Sequence, residues 1–396
     1  MQTKTILLAA ALSTASGLLY AQVDFKVADR DFQVHSFASQ GFMYSNQNNY
    51  MAMPTSKGSF AFTDAGANIS SQITDKFRVG AQVYLRNVGE FGNWHPELDW
   101  AFGAYKFKSW FGVKGGKVKT VFGLLNDVQD MDSLHTFALL PQGMYPIDWR
   151  STTIAHSGGD VFGDVSVKHL GTFSYTGFVG MMPSDLNSGY DVASRAVNTV
   201  FTYRGGREAG GDLRLTMPFG VLIGASYMDM DISARGTFMS AGVPTAYKQT
   251  TTANEWTQYY AQYTLKGLQV NGEYRRNMRD TNLFRTATPT KSISDARSWY
   301  VSGTYRVSKR LELGAYRSQY YLDMRKDTTP PSAHEFDTTI SARLDPINHW
   351  YFKVEGHFID GATTSTSAAR GFYAYSNPAG ILPTTRLLVI RTGFSF

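Results

Sequence analysis

Residues 77–86 read FRVGAQVYLR, with Phe77, Val79, Ala81, Val83 and Leu85 on one parity and Arg78, Gly80, Gln82, Tyr84 and Arg86 on the other. Successive side chains of a strand point to opposite faces, so the stretch makes one apolar and one polar face. The same division returns where Phe336, Thr338, Ile340, Ala342 and Leu344 alternate with Glu335, Asp337, Thr339, Ser341 and Arg343. It returns again where Trp350, Phe352, Val354, Gly356 and Phe358 alternate with Tyr351, Lys353, Glu355 and His357. Aromatic and aliphatic residues on the exterior, with charge on the interior, are what a sheet closed around water and standing in lipid requires.

Working outward from that segment, sixteen stretches carry strand character, beginning at 32–43 and ending at 384–396. Those that matter below are 97–108, 111–122, 210–217, 220–233 and 254–266; the stretch 182–209 is ambiguous. Connections alternate between tight turns, such as Thr74-Asp75, Ser109-Trp110 and Pro346-Ile347-Asn348, and long polar loops such as those around 234–253, 281–295 and 361–383. Short turns at one end and long loops at the other are the asymmetry of an outer-membrane barrel. A soluble sandwich would mix loop lengths at both ends and turn polar side chains outward. The fold expected is therefore all-β: a transmembrane antiparallel barrel of sixteen strands.

Composition agrees with this. Aromatics make up 14% of the 396 residues, Gly reaches 37, and there is no cysteine, which excludes a disulfide framework and thiol chemistry. The formal charge of +6 is too small and too evenly spread to imply a nucleic-acid partner. Lys4 followed by the uncharged run Thr5–Tyr20 and the small residue Ala21 has the layout of a secretory signal peptide. Two segments are expected, a cleaved signal at 1–21 and a single barrel at 22–396. The final strand, TTRLLVIRTGFSF at 384–396, is expected to close the ring, with Leu388, Ile390, Thr392, Phe394 and Phe396 toward lipid and Arg391 inward. An unpaired edge in hydrocarbon would cost several kcal/mol per unsatisfied backbone group.

The connection 123–157 is too apolar for a free surface loop: Leu139, Leu140, Met144, Tyr145, Ile147 and Trp149 need something to pack against. Long loops in compact architectures are usually functional, and a bore of sixteen strands has room for one. With the stretches SFASQGFMYSNQNNY (36–50), GKVKTVFGLLND (116–127) and LLPQGMYPIDWR (139–150), the chain resembles the bacterial outer-membrane porin superfamily, and more loosely its phosphate-selective-like branch. The resemblance implies a third external loop, following the fifth strand, folded into the lumen as a constriction. It also implies a homotrimer in the bacterial outer membrane, contacts with lipid and lipopolysaccharide, and recognition of the C-terminal Phe396 by the assembly machinery.

The pore-lining candidates are Arg78, Arg86, Lys117, Lys119, Arg343, Lys353 and Arg391 on the wall, with Asp127, Asp130, Asp132 and Arg150 on the loop. Asp99, Glu273, Arg275, Arg306, Glu312 and Glu355 are further inward-facing charges. Lys117 and Lys119 are expected inside with Val118, Thr120 and Phe122 outside; since Phe111 and Val113 have the opposite parity, a bulge is expected at Gly115-Gly116. Opposed charges across a narrow aqueous slot favour polar solutes. The loop has no Lys and only Arg150, a departure from the phosphate-specific pattern.

The function expected is a water-filled diffusion channel for small hydrophilic solutes and ions, with at most a weak anion preference. The alternatives are a channel specific for an organic acid, a sugar or phosphate, with Tyr84, Tyr260, Tyr300, Tyr316 and Tyr351 as an aromatic track, and a non-conducting structural or adhesive barrel. No G-x-S-x-G occurs and the eight His make no metal-ligand pair, so neither an enzyme nor a metal or other cofactor is expected.

Overall fold

Alternation of apolar and polar residues becomes a ring of antiparallel strands in the computed structural model, which describes residues 23–27, 30–284, 290–363 and 370–396. The expected signal segment 1–21 lies outside the described residues. The strands are β1 (Val23–Val27), β2 (Arg30–Ser45), β3 (Ser59–Thr74), β4 (Phe77–Val88), β5 (Glu97–Lys108), β6 (Phe111–Lys119), β7 (Ala155–Val167), β8 (Gly171–Met182) and β9 (Thr199–Met217). They continue as β10 (Val221–Ser240), β11 (Val243–Leu265), β12 (Leu268–Phe284), β13 (Thr290–Arg306), β14 (Leu311–Tyr321), β15 (His334–Ile347), β16 (Trp350–Asp360) and β17 (Thr384–Ser395). Each of β2 to β17 pairs with its sequence neighbours, and β17 closes on β2, so sixteen strands make the ring.

Closure reaches the last residue: Phe396 and Ser36 exchange backbone hydrogen bonds of 2.7 and 3.1 Å. Below that point β1 pairs with β2 from Val27↔Arg30 to Val23↔Val34, continuing the edge that β17 leaves. Pairing of this kind removes the exposed row of N–H and C=O groups that an edge would present.

Facing follows the predicted parity on β4, β15, β16 and β17. Val83 is 45% exposed on the outside while Tyr84, the next residue, is 2% exposed on the inside. On β5 and β6 the expectation fails. β6 holds an unbroken register with both neighbours through Gly115 and Gly116, and the shift lies instead between β4 and β5, where Gln82↔Trp100 is followed by Val83↔Leu98. Asp99 is the extra residue. Trp100, Phe102 and Ala104 consequently share a face with Gln82, Gly80 and Arg78, and Lys114, Gly116 and Val118 share it in turn.

The uncertain region is also longer in strand than the sequence suggests. β9 begins at Thr199, and what reads as a loop around 234–253 is the continuation of β10 and β11 to a two-residue turn at Ala241-Gly242. Both turn residues have positive φ, 48° and 80°, as the tight hairpin turn compatible with strand twist requires. The loop expected at 281–295 is likewise mostly strand in its described part. Between β8 and β9, Gly189–Ala196 forms a helix whose Ser188 hydroxyl accepts from the Asp191 N–H.

Candidate functional site

The connection from β6 to β7 is anchored on both sides of the ring, by backbone groups as much as by side chains. At its start, the Leu124 N–H donates to Glu273 of β12 at 3.0 Å, and the Tyr145 and Tyr300 hydroxyls donate to the same carboxylate at 2.6 and 2.7 Å. One acid thus ties two distant points of the loop to one wall. Across the bore, the Glu355 carboxylate of β16 accepts the Ala138 and Leu139 N–H groups at 2.6 and 3.1 Å. Arg343 of β15 donates to the Ser133 and His135 carbonyls at 2.6 and 2.9 Å.

Two ion clusters complete the anchoring. In the first, Lys353 donates to Asp132 at 2.8 Å and to the Phe137 carbonyl at 3.0 Å, while Arg391 pairs with Asp132 at 3.2 Å and Asp64 at 2.8 Å. Burial disfavours the Asp132 carboxylate, but Arg391 and Lys353 outweigh it and hold the group below its ordinary range. In the second, Arg150 donates to Asp99 at 2.8 Å, Gln82 donates to Asp99 at 2.9 Å and Asp130 at 2.7 Å, and Lys119 donates to Asp130 at 2.7 Å. Asp130 is also held low, by Lys119 and Arg150 against the effect of burial. Arg86 donates to the Ile147 carbonyl at 2.9 Å and stands 3.6 Å from Asp185.

Most of the sequence-selected residues therefore converge, and three depart from expectation. Arg78 is exposed well away from the clusters, bonded to Ser70 at 3.1 Å. Among the described residues no wall cation pairs with the Asp127 carboxylate; Lys119 donates to its carbonyl at 2.9 Å, and burial pushes the carboxyl up. Lys117 has the outward parity of β6 and reaches the Leu98 carbonyl at 2.6 Å, beside a side chain that is itself half exposed on the outer surface. Val118, Thr120 and Phe122, expected outside, are 1, 1 and 2% exposed and face inward. The physical reason is that the upper bore is not water there: Phe122 packs with Phe178, Met182, Met228, Met230 and Trp256. An apolar residue facing such an interior carries no parity signal.

Three further segments enter the same space. Tyr50, Met51 and Met53 from the β2–β3 loop, Phe372 and Tyr373 from the β16–β17 loop, and Val192 and Ala193 from the helix pack with Ala138 and Leu139 in one apolar cluster. Free volume changes accordingly. A cavity of about 40 Å3 beside Asp64, Tyr84, Asp132, Arg150 and Arg391 holds a few waters at most. Toward the short turns, a space of about 950 Å3 opens between Ser133 and Leu134 of the loop and Lys309, Arg310, Arg343 and Asp345 of the wall.

Two hydroxyl–imidazole–carboxylate lines occur in the wall. Thr120 Oγ1 lies 2.9 Å from His156 Nδ1, with Asp160 2.8 Å from Nε2; Thr339 Oγ1 lies 2.9 Å from His357 Nδ1, with Glu355 3.2 Å from Nε2. All six side chains are buried, so neither hydroxyl is open to a substrate. Among the described residues no group of three or more His, Asp or Glu could hold a metal ion.

A closed antiparallel ring of sixteen strands, short turns at one end, long loops at the other and an inserted third loop define the fold of outer-membrane porins. No protein-family model and no curated protein matches the sequence. Among solved structures, the chain is similar to an anion-selective porin from Comamonas acidovorans, at 10% identity and a TM-score of 0.57 over 93% of this chain and 100% of that one. It is similar to OmpF of Salmonella typhi, solved with daunomycin, at 12% identity and a TM-score of 0.57 over 94% and 100%. OmpT of Vibrio cholerae aligns at 13% identity and a TM-score of 0.55 over 94% and 100%. Likeness at these identities defines the fold.

Proposed function

We propose that the chain is a porin of the bacterial outer membrane: a water-filled diffusion channel for small hydrophilic solutes and ions, narrowed by the segment 123–157. The observation that carries this reading is the closed ring with the segment 123–157 bound across its interior, which leaves spaces of about 40 and 140 Å3 beside the loop and about 950 Å3 near the short turns. At the narrow level Arg86, Lys119, Arg150, Lys353 and Arg391 face Asp64, Asp99, Asp130, Asp132 and Asp185, five cations against five carboxylates. Such balance gives polar solutes a passage without a strong preference for either sign. The exposed cations Arg78, Lys309 and Arg310 tilt the preference weakly toward anions.

The role is transport and not catalysis, and the segment 1–21 directs export and is then cleaved. The outward band, with Val83, Val301, Ile340 and Phe358, suits lipid, with lipopolysaccharide around the outer rim and Phe396 available to the assembly machinery. A homotrimer is part of the proposal: one of the Vibrio cholerae structures is described as a trimer form. On this chain, an outward groove of about 410 Å3 on β3–β6, lined by Ile69, Val79, Ala81, Ala101, Gly103 and Gly115, lets a neighbouring barrel approach closely. The test is conductance in a planar bilayer, with the reversal potential in a salt gradient. Stepwise current with a small anion-side potential is expected; a silent bilayer under all voltages and salts rejects the reading in favour of a structural barrel.

A further inference from the structure

Of the five tyrosines expected to form an aromatic track, Tyr351 borders the wide space near the short turns and the other four do not. All five are buried, and Tyr84, Tyr260, Tyr300 and Tyr316 donate their hydroxyls to Asp64, Asp212, Glu273 and Asp337. A different set of rings is open to the bore. Because Asp99 is the extra residue in β5, Trp100 and Phe102 turn inward, stacked at 5.5 Å between centroids. Phe162 of β7 joins them across β6, paired with Gly112. Trp100, Phe102 and Phe162 are only partly buried, and none packs into the four apolar clusters of the interior.

Between the two phenyl rings stands Lys114, its Nζ 5.4 Å from each centroid. It is 24% exposed, makes no hydrogen bond among the described residues and lies 4.0 Å from Asp160, whose other oxygen is engaged by His156 at 2.8 Å. The strip runs from Trp100, with Lys119 6.0 Å above its ring, toward the short turn between β5 and β6. Rings left against water on an inner wall, with an ammonium whose donors are unspent set between them, call for one kind of solute. Its skeleton must be flat and apolar to cover the rings, and it must carry an anionic group to meet Lys114. A sugar would need free carboxylate or amide acceptors open to the bore beside the rings; Asp130 is held by Lys119, and the unpaired Asp160 oxygen is buried, 4.0 Å from Lys114.

We propose that the β5–β7 wall is a binding site for ring-bearing carboxylates, with Trp100, Phe102 and Phe162 as the stacking surface and Lys114 as the carboxylate partner. The site rests on the porin reading for its transport role but not for binding. The test is titration calorimetry of the intact barrel in detergent with benzoate, acetate and glucose, alongside bilayer recording with the same solutes.

Benzoate is expected to bind in the millimolar range, at least about ten-fold more tightly than acetate, and to interrupt the current. Lys114→Met, which keeps the stem and removes the charge, is expected to weaken benzoate about ten-fold, the scale of one hydrogen bond to a charged group. Phe162→Leu weakens it less and leaves acetate unchanged. Thermal midpoints equal to that of the parent protein certify both variants as folded. Benzoate no tighter than acetate, glucose tighter than benzoate, or benzoate binding unmoved in both folded variants overturns the site. Binding without any conductance rejects the porin reading and leaves the site standing; conductance without ring discrimination does the reverse.

Discussion

Two arcs of the same wall meet the interior differently. On β14–β17, the inward residues Arg343, Lys353, Glu355 and Arg391 are consumed in holding the loop, and all but Arg343 are fully buried. On β5–β7, the inward residues Trp100, Phe102, Lys114 and Phe162 remain partly open. Both arcs arise from the same alternation. What separates them is which arc the inserted loop covers, and so whether a charge on the wall serves structure or meets solute.

The sharpest way to break this comparison is to cut the clamp at Arg391. Arg391→Ala leaves Asp64 and Asp132 buried with fewer partners, and losing one member of a buried pair costs about 3–5 kcal/mol. Thermal unfolding should show a large fall in midpoint, and bilayer recording a larger and noisier conductance as the loop loosens. An unchanged midpoint would mean that the covered arc is no more structural than the open one.

Acidification should weaken the same arc. His135 donates through Nε2 to the Val128 carbonyl at 2.9 Å, and burial, with Lys353 nearby, lowers its pKa from 6.5 to about 4. A pKa lower in the folded than in the unfolded chain means that the unfolded chain takes up the proton first. Stability contributed by neutral His135 is therefore complete above about pH 6.5 and is lost as pH falls to about 4, by up to about 3 kcal/mol. Midpoints measured across that window should fall more steeply for the parent protein than for His135→Asn.

A smaller effect is expected from Glu355→Gln, which keeps the shape but weakens acceptance from the Ala138 and Leu139 N–H groups. A loss of about 1–3 kcal/mol is expected, read as a modest drop in midpoint with a raised conductance. The smallest effect belongs to Lys117→Gln. Since this ammonium lies against the Leu98 carbonyl on the outer side, reversal potential and conductance should stay within error. A shift comparable to that of Lys114→Met would put Lys117 back in the bore.

Legibility of the site followed the solvent. Where the interior is charged and the exterior meets lipid, as along 335–343 and 350–358, parity alone gave Arg343, Lys353 and Glu355 their inward direction, as it did Arg391 on the last strand. It gave the wrong direction for Lys117, Val118, Thr120 and Phe122. Around Phe122 both faces are apolar, and one extra residue at Asp99 reverses the facing of the β5 and β6 residues paired beyond it. Asp64, Lys114 and Phe162 carried no local mark of importance; their partners lie on other strands or beyond the loop.

Determined by the sequence alone were the class of fold, the order of its strands, the closing role of the last segment and the presence of an apolar loop needing an interior. These depend on a period of two and on turn chemistry, which neighbouring residues specify. Tertiary structure alone decided the register of β5 and β6, the apolar filling of the upper bore and the arc to which the loop is bound. Each of those depends on residues far apart in the chain, and a pattern read along one strand holds no information about what stands across from it.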